Sequence, residues 1–243
     1  MARIFNSIRH RLLKENRLTR YLVYAIGEIV LVVIGIFLAL QLNNWNAGRK
    51  EAAKELGLLA EMRQNLEADL KDCRYNIDMN QRLLRGNVAV LKHLEDRTPF
   101  LDSLRVHYGN LFGSTVLTPN TSAFDNLRSI GFDLITNDSL RRSITKLYSE
   151  RYTYLDKLES GFDGHLQMDD LGPHIYTKII VDTIWVSGYP INAEALMDDI
   201  GFKGVVRMNV SIRGYMINIY KGFEKRILAL MEEIDGELNE RRE

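Results

Sequence analysis

The sequence predicts an all-α protein: a single N-terminal transmembrane helix followed by an elongated antiparallel helical bundle. Three observations predict it. The run from Tyr21 to Leu42 is almost wholly apolar. Three later stretches repeat apolar residues at spacings of three and four, the signature of amphipathic helices. Between those stretches, proline, glycine and capping residues cluster where helices should stop and start.

The apolar run comes first. Twenty-two residues of helix span roughly 33 Å, close to a hydrocarbon core of ~30 Å. A cleaved secretory signal has a shorter apolar core, and Ala39-Leu40-Gln41 is a poor cleavage site. An uncleaved signal-anchor is therefore expected, dividing the chain into a basic tail (1–20), a span (21–43) and a helical domain (44–243). Arg3, Arg9, Arg11, Lys14, Arg17 and Arg20 precede the span, opposed by Glu15 alone. The positive-inside rule then places the N-terminus in the cytoplasm and the large domain outside. Beside a span, this charge reads as a topology signal rather than a nucleic-acid site. Tyr21 and Tyr24 suit one membrane interface, and Trp45 with its asparagines suits the other.

Glu28 breaks the apolar pattern. At 100° per residue it shares a face with Val32, Gly35 and Ala39. Gly35-x-x-x-Ala39 is a small-xxx-small pattern that permits close helix approach. The four residues are candidate contacts with a partner helix or a second copy. Alternatively, Glu28 lies near enough to the interface to be protonated or to reach headgroups.

After the span, Arg49 to Thr98 contains no proline. Leu56, Leu59, Leu66, Leu70, Cys73, Ile77, Leu84, Leu91 and Leu94 form a stripe on one long helix, with Arg63, Asn80 and Asn87 on the same stripe. Polar residues in such positions often set register. Cys73, the only cysteine, reads as a buried structural thiol. Pro99 stops the helix, and a short helix should cover Asp102 to Leu111. Ser122-Ala123-Phe124-Asp125 reads as a capping box, Gly131 as a stop, and Asn137-Asp138-Ser139 as the next cap. A second long helix carries Leu140, Ile144, Leu147, Arg151, Leu155, Leu158 and Phe162. Lys178 to Val186 fits either strand or buried helix. Asn192 should cap a short helix through Asp199. A third long helix, about Lys203 to Arg241, carries Ile212, Met216, Ile219, Phe223, Ile227, Leu230, Ile234 and Leu238. Val206 to Ile212 alternates like a strand, but the longer pattern favours helix. On parity, the first long helix rises from the membrane and the last returns toward it.

The block Tyr21 to Ile36, with Gly27-Glu28 inside an apolar span, continues through Ala39-Leu40-Gln41-Leu42-Asn43-Asn44-Trp45-Asn46. It resembles the N-terminal signature of an uncharacterised family, domain of unknown function 6090, single-pass proteins of flavobacteria and related bacteria. Ala123-Phe124-Asp125-Asn126-Leu127, Gly131, Ile135, Asn137, Leu140-Arg141 and Leu147-Tyr148 are similar to its second signature. The resemblance implies a Gram-negative inner membrane and a periplasmic domain. It supplies no catalytic residues.

No phosphate-binding glycine loop, nucleophile elbow or zinc-protease helix is present in the sequence. Neither enzyme activity nor a cofactor is expected. The nearest approach to a metal site is Asp163, His165, Asp169, Asp170 and His174, with Gly172-Pro173 expected to interrupt the helix that would align Asp170 and His174. Against it stands a plain polar loop. Tyr148, Arg151, Tyr152 and Tyr154 fit either a recognition patch or core-edge packing. Asn120-Thr121-Ser122 matches a glycosylation acceptor but reads as the loop before a cap. The expected function is a membrane-anchored interaction module, contacting the bilayer and a protein partner or forming a homo-oligomer, with no nucleic acid. The alternative is a ligand-sensing extracytoplasmic domain. The expected tail of about twenty residues is too short for an output domain, so a sensor would need a partner to signal.

Overall fold

The structure, a computed structural model, describes residues 18–241. The expected tail charges Arg3 to Arg17 lie outside the described residues. In chain order the elements are α1 (Leu18–Glu95), a 3-10 turn (Asp102–Leu104), α2 (Arg105–Gly109), α3 (Ser122–Ile130) and a second 3-10 turn (Phe132–Leu134). There follow α4 (Asp138–Thr145), a π segment (Lys146–Arg151), α5 (Tyr152–Asp156), two further π segments (Lys157–Asp163 and Leu166–Leu171) and α6 (Gly172–Lys178). Strands β1 (Ile179–Thr183) and β2 (Ser187–Pro190), then α7 (Ala193–Asp198) and α8 (Ile200–Glu240), complete the described chain. The class is all-α, with one antiparallel hairpin. Lys178 to Val186, open between strand and helix in the sequence, is the end of α6, β1 and the turn beyond it.

The chain divides into two compact units, Met1–Lys54 and Glu55–Glu243. In the first, α1 is long and apolar enough to cross a membrane, with a mean hydropathy of 2.5 and none of that window buried. Uncovered apolar surface of this extent is what a lipid-facing segment presents. Hydrophobicity ends near residue 43, whereas burial begins at Glu55.

In the second unit, α1 buries Leu59, Met62, Leu66, Asp69, Cys73, Asn76, Asn80, Leu83, Asn87, Val90 and Leu94. The steps alternate three and four, a seven-residue repeat that keeps one seam facing its neighbours. Leu56, Leu84 and Leu91 are only half-buried. The apolar stripe read from the sequence straddled this seam because Asp69, Asn76 and other polar members of it carry no hydrophobic signal. α8 follows the same rhythm through Phe202, Val206, Asn209, Arg213, Met216, Tyr220, Phe223, Ile227, Leu230, Ile234 and Glu237. Arg63 pairs with Asp235, Arg74 with Glu224, and Glu95 with Arg207. Positions rising along α1 thus meet positions falling along α8, so the two run in opposite directions.

The helix from α4 to α6 departs from its expected face. Leu140, Ile144, Leu147 and Leu155 are buried as expected, but with them it buries Tyr148, Tyr152, Glu159, Asp163, Gln167, Leu171 and Ile175, and apart from Leu147 the steps are mostly four. Four residues of α-helix overshoot a full turn by roughly 40°, so a stripe at that spacing would wind off the core. The wider i→i+5 turns of the three π segments take up the excess and hold the stripe inward. Phe162 is exposed instead, and Arg151 and Leu158 are half-buried. Gly172-Pro173 does not break the helix: α6 begins at Gly172 with Pro173 in its first turn, where a missing N–H costs little.

Caps fall close to their sequence signals. Asn137 accepts from Ser139 and Leu140 N–H, and Asn192 from Ala195 N–H; the last helix starts earlier than expected, at Ile200, where Asp199 caps it by accepting from Phe202 N–H. The expected box at Ser122 is different. Thr121 takes the cap position, and the Ser122 hydroxyl accepts from Asn65 Nδ2 at 2.9 Å and lies 3.2 Å from Glu61. Tertiary partners on α1 outbid the local backbone for that hydroxyl.

Candidate functional site

The segment Leu111 to Leu117 is alternately buried, yet among the described residues it pairs with no strand. Buried backbone groups need partners, and here polar side chains supply them. Gly113 N–H donates to Gln167 Oε1 at 3.1 Å, and Leu117 N–H donates to Glu159 Oε1 at 3.0 Å. The Leu111 carbonyl accepts from Asn209 at 2.9 Å and Asn87 at 3.3 Å. The Thr115 carbonyl accepts from Tyr220 at 3.1 Å. Polar residues from all three long helical stretches thus form one buried seam around a threaded loop.

Arg213 lies at its centre with 0% of its surface exposed. Its guanidinium donates to Asn80 Oδ1 at 2.8 Å, to the Gly113 carbonyl at 3.4 Å, and to Asp163. Burial pushes Arg213 down to about 10. The adjoining Asp163 carboxylate favours the charged guanidinium at neutral pH. Gln167 extends the chain of bonds to Asn209 Oδ1 at 2.8 Å, and Asn209 donates to Asn87 Oδ1 at 3.0 Å. Glu159 receives the Tyr220 hydroxyl at 2.5 Å. Burial pushes the Glu159 carboxyl up to about 7, against the lowering effect of its Tyr220 and Leu117 hydrogen bonds. Asp69 is also raised by burial; it receives Tyr152 Oη and Asn120 N–H. Cys73 is pushed up to about 12 by burial, which leaves its thiol protonated and unreactive at neutral pH.

The metal candidates separate. Asp163 faces inward to Arg213, whereas His165 pairs with Asp169 on the exposed side at 2.5 Å. Asp170 and His174 share a cavity of about 470 Å³, aligned by the unbroken helix. There Lys178 Nζ sits 3.0 Å from His174 Nδ1, an unfavourable neighbour for a divalent cation. Among the described residues no three His, Cys, Asp or Glu side chains converge. Tyr148 and Tyr152 belong to the core, with Tyr148 stacked on Phe124 at 4.6 Å; Tyr154 is exposed. Glu28, Val32, Gly35 and Ala39 lie exposed on α1, and a Cβ at Gly35 would meet nothing within 4 Å.

The hairpin presents a different surface. The turn residue Trp185 donates its N–H to Gly109 O at 3.0 Å and its indole N–H to Phe112 O at 3.1 Å, fastening the hairpin beside α2. Ile180, Val181, Ile184 and Val186 are nevertheless exposed, Ile184 by 63%. β1 pairs with β2 alone among the described residues. Ile191 N–H bonds to Lys178 O, so the bonding alternation turns the Val181 N–H and C=O to the outer edge. Sequence reading flagged the β-branched composition here but had no signal for exposure.

No curated protein and no solved structure matches the chain. The family model that matches describes a family of unknown function (DUF6090) and covers residues 28–168. That match takes in more than half of the chain, from Glu28 in the apolar segment to the π segments that carry Glu159, Asp163 and Gln167, and the chain belongs to this family.

Proposed function

We propose that this chain is a membrane-anchored helical interaction module, acting through a protein partner or through self-association. The carrying observation is the hairpin: exposed β-branched side chains beside a strand edge that is unpaired among the described residues. Such an edge is a template for another strand, and the apolar side chains supply area to bury on contact. The proposal includes an elongated antiparallel bundle with coiled-coil-like seams and one span in the inner membrane. Its N-terminus is cytoplasmic and its large domain periplasmic, supported by the basic residues before Tyr21. Glu28, Val32, Gly35 and Ala39 serve as a second contact within the bilayer.

The test is site-specific photo-crosslinking of the full chain in native membranes, with the probe at Val181. A discrete protein adduct, lost in Ile184→Asp/Val186→Asp, is expected. An absence of any protein adduct, or one indifferent to both aspartates, would sink the hairpin contact. Separately, Glu28→Leu should weaken crosslinking between anchors; unchanged crosslinking removes that contact. A second reading, a ligand-sensing extracytoplasmic domain that signals through a partner, draws support from a cation-lined groove between the first π segment and α8.

A further inference from the structure

Lys146 and Arg151 are five residues apart. On an α-helix that spacing turns side chains roughly 140° away from each other. The π segment Lys146–Arg151 closes i→i+5 and brings them toward one side. Both line a groove of about 280 Å³ opposite Arg226 and Glu233 of α8, with Leu147 and Leu230 also in its walls. Arg226 donates Nη1 to its own helix at Gly222 O, 3.0 Å away. The Arg151 Nε is buried and has no hydrogen-bond partner among the described residues. Among the described residues no carboxylate forms an ion pair with any of the three cations.

Three cations against one carboxylate leave two net positive charges in the groove. A phosphate monoester carries roughly −1.5 to −2 at neutral pH, and guanidinium forks match its oxygens. We propose that this groove binds a phosphate group, with the leucine walls accommodating an attached carbon skeleton. The π turn is then what builds the site, since an α-helical turn would separate Lys146 from Arg151. The groove shares no residue with the hairpin, so the proposal stands independently of the interaction reading.

The full chain, reconstituted in phosphatidylcholine nanodiscs, is titrated with inorganic phosphate by calorimetry. The same titration is repeated in discs containing phosphatidylglycerol. Saturable binding is expected in phosphatidylcholine, weakened about tenfold or more by Arg151→Gln or Arg226→Gln. Glu233→Gln should tighten it, a change of sign that misfolding cannot produce. Arg128→Gln, distant in sequence and paired with Asp125, should change nothing. Binding that persists in phosphatidylglycerol discs identifies a soluble phosphate ligand. Binding lost there identifies a lipid headgroup as the natural occupant. No binding in phosphatidylcholine, or binding equal in wild type and all variants, overturns the proposal.

Discussion

At the scale of single residues, the buried seam explains why so many polar side chains occupy core positions. Arg213 with Asp163 is a desolvated ion pair, and such pairs add little net stability while being expensive to break, about 3–5 kcal/mol when one partner is removed. Asp163 Oδ2 and Arg213 Nε have no hydrogen-bond partner among the described residues, which reduces the pair's net contribution further. Its role is to hold the Gly113 carbonyl and Asn80 in place. Glu159 carries a pH dependence. Its carboxyl rises from 4.5 to about 7 on folding, so across that window the folded chain keeps a proton that the unfolded chain releases. Stability therefore falls as pH rises from 4.5 toward 7, by on the order of 3 kcal/mol. Glu159→Gln should raise the melting temperature of the full chain at pH 8, with the gain shrinking by pH 5. An equal gain at both pH values would show that burial does not raise this carboxyl.

At the scale of elements, the π segments and the hairpin both depend on partners distant in sequence. The stripe at four-residue spacing places Glu159, Asp163 and Gln167 where the threaded loop needs them, and only wider turns allow it. The hairpin rests on α2 through a close backbone approach. A Cβ on Gly109 would lie 2.5 Å from Ser187 N, and one on Gly113, whose φ is +133°, would collide with the Trp185 indole nitrogen. Gly109→Ala should therefore lift the hairpin. Hydrogen exchange across residues 179–190 should accelerate, while amides in the middle of α8 keep their protection. The local cost should be about 1–3 kcal/mol, as for other overpacked contacts. Unchanged exchange in the hairpin would refute this account of its docking. An Asn137→Ala change, by contrast, removes an N-cap and the 2.7 Å bond to Glu237 Oε2, and should lower the melting temperature by an amount corresponding to about 1–2 kcal/mol.

At the scale of the whole molecule, one apolar segment in the first unit and a polar-seamed helical core in the second define the architecture. Orientation is a prediction at this scale. Alkaline phosphatase fused after Glu243 should be active in cells and a cytoplasm-dependent reporter at the same site silent. The reverse pattern would invert the topology read from Arg3 to Arg20. The class, the apolar segment, the caps at Asn137 and Asn192, and the long helices were legible because each depends on neighbours a few residues away. The last helix was legible even where Val206 to Ile212 alternates, since its 3.6-residue pattern runs much farther than the alternation.

What the sequence by itself determined is therefore local: an apolar run long enough to cross a bilayer, amphipathic periods, stops and caps. Which face each helix buries was decided by tertiary structure. Asp69, Asn209 and Arg213 enter the core because a loop without a strand partner must have its backbone bonded there. Hydrophobic periodicity cannot announce a buried polar residue. The α4-to-α6 stripe slipped from Arg151 and Phe162 to Tyr152 and Asp163 for a related reason: a reading at 3.6 residues per turn assumes α-geometry, whereas packing against α1 and α8 selected wider turns. The exposure of Ile184 and the gathering of Lys146, Arg151 and Arg226 are likewise properties of juxtaposed elements. No single segment encodes them, because the free energy of burial and of charge proximity exists only once distant segments meet.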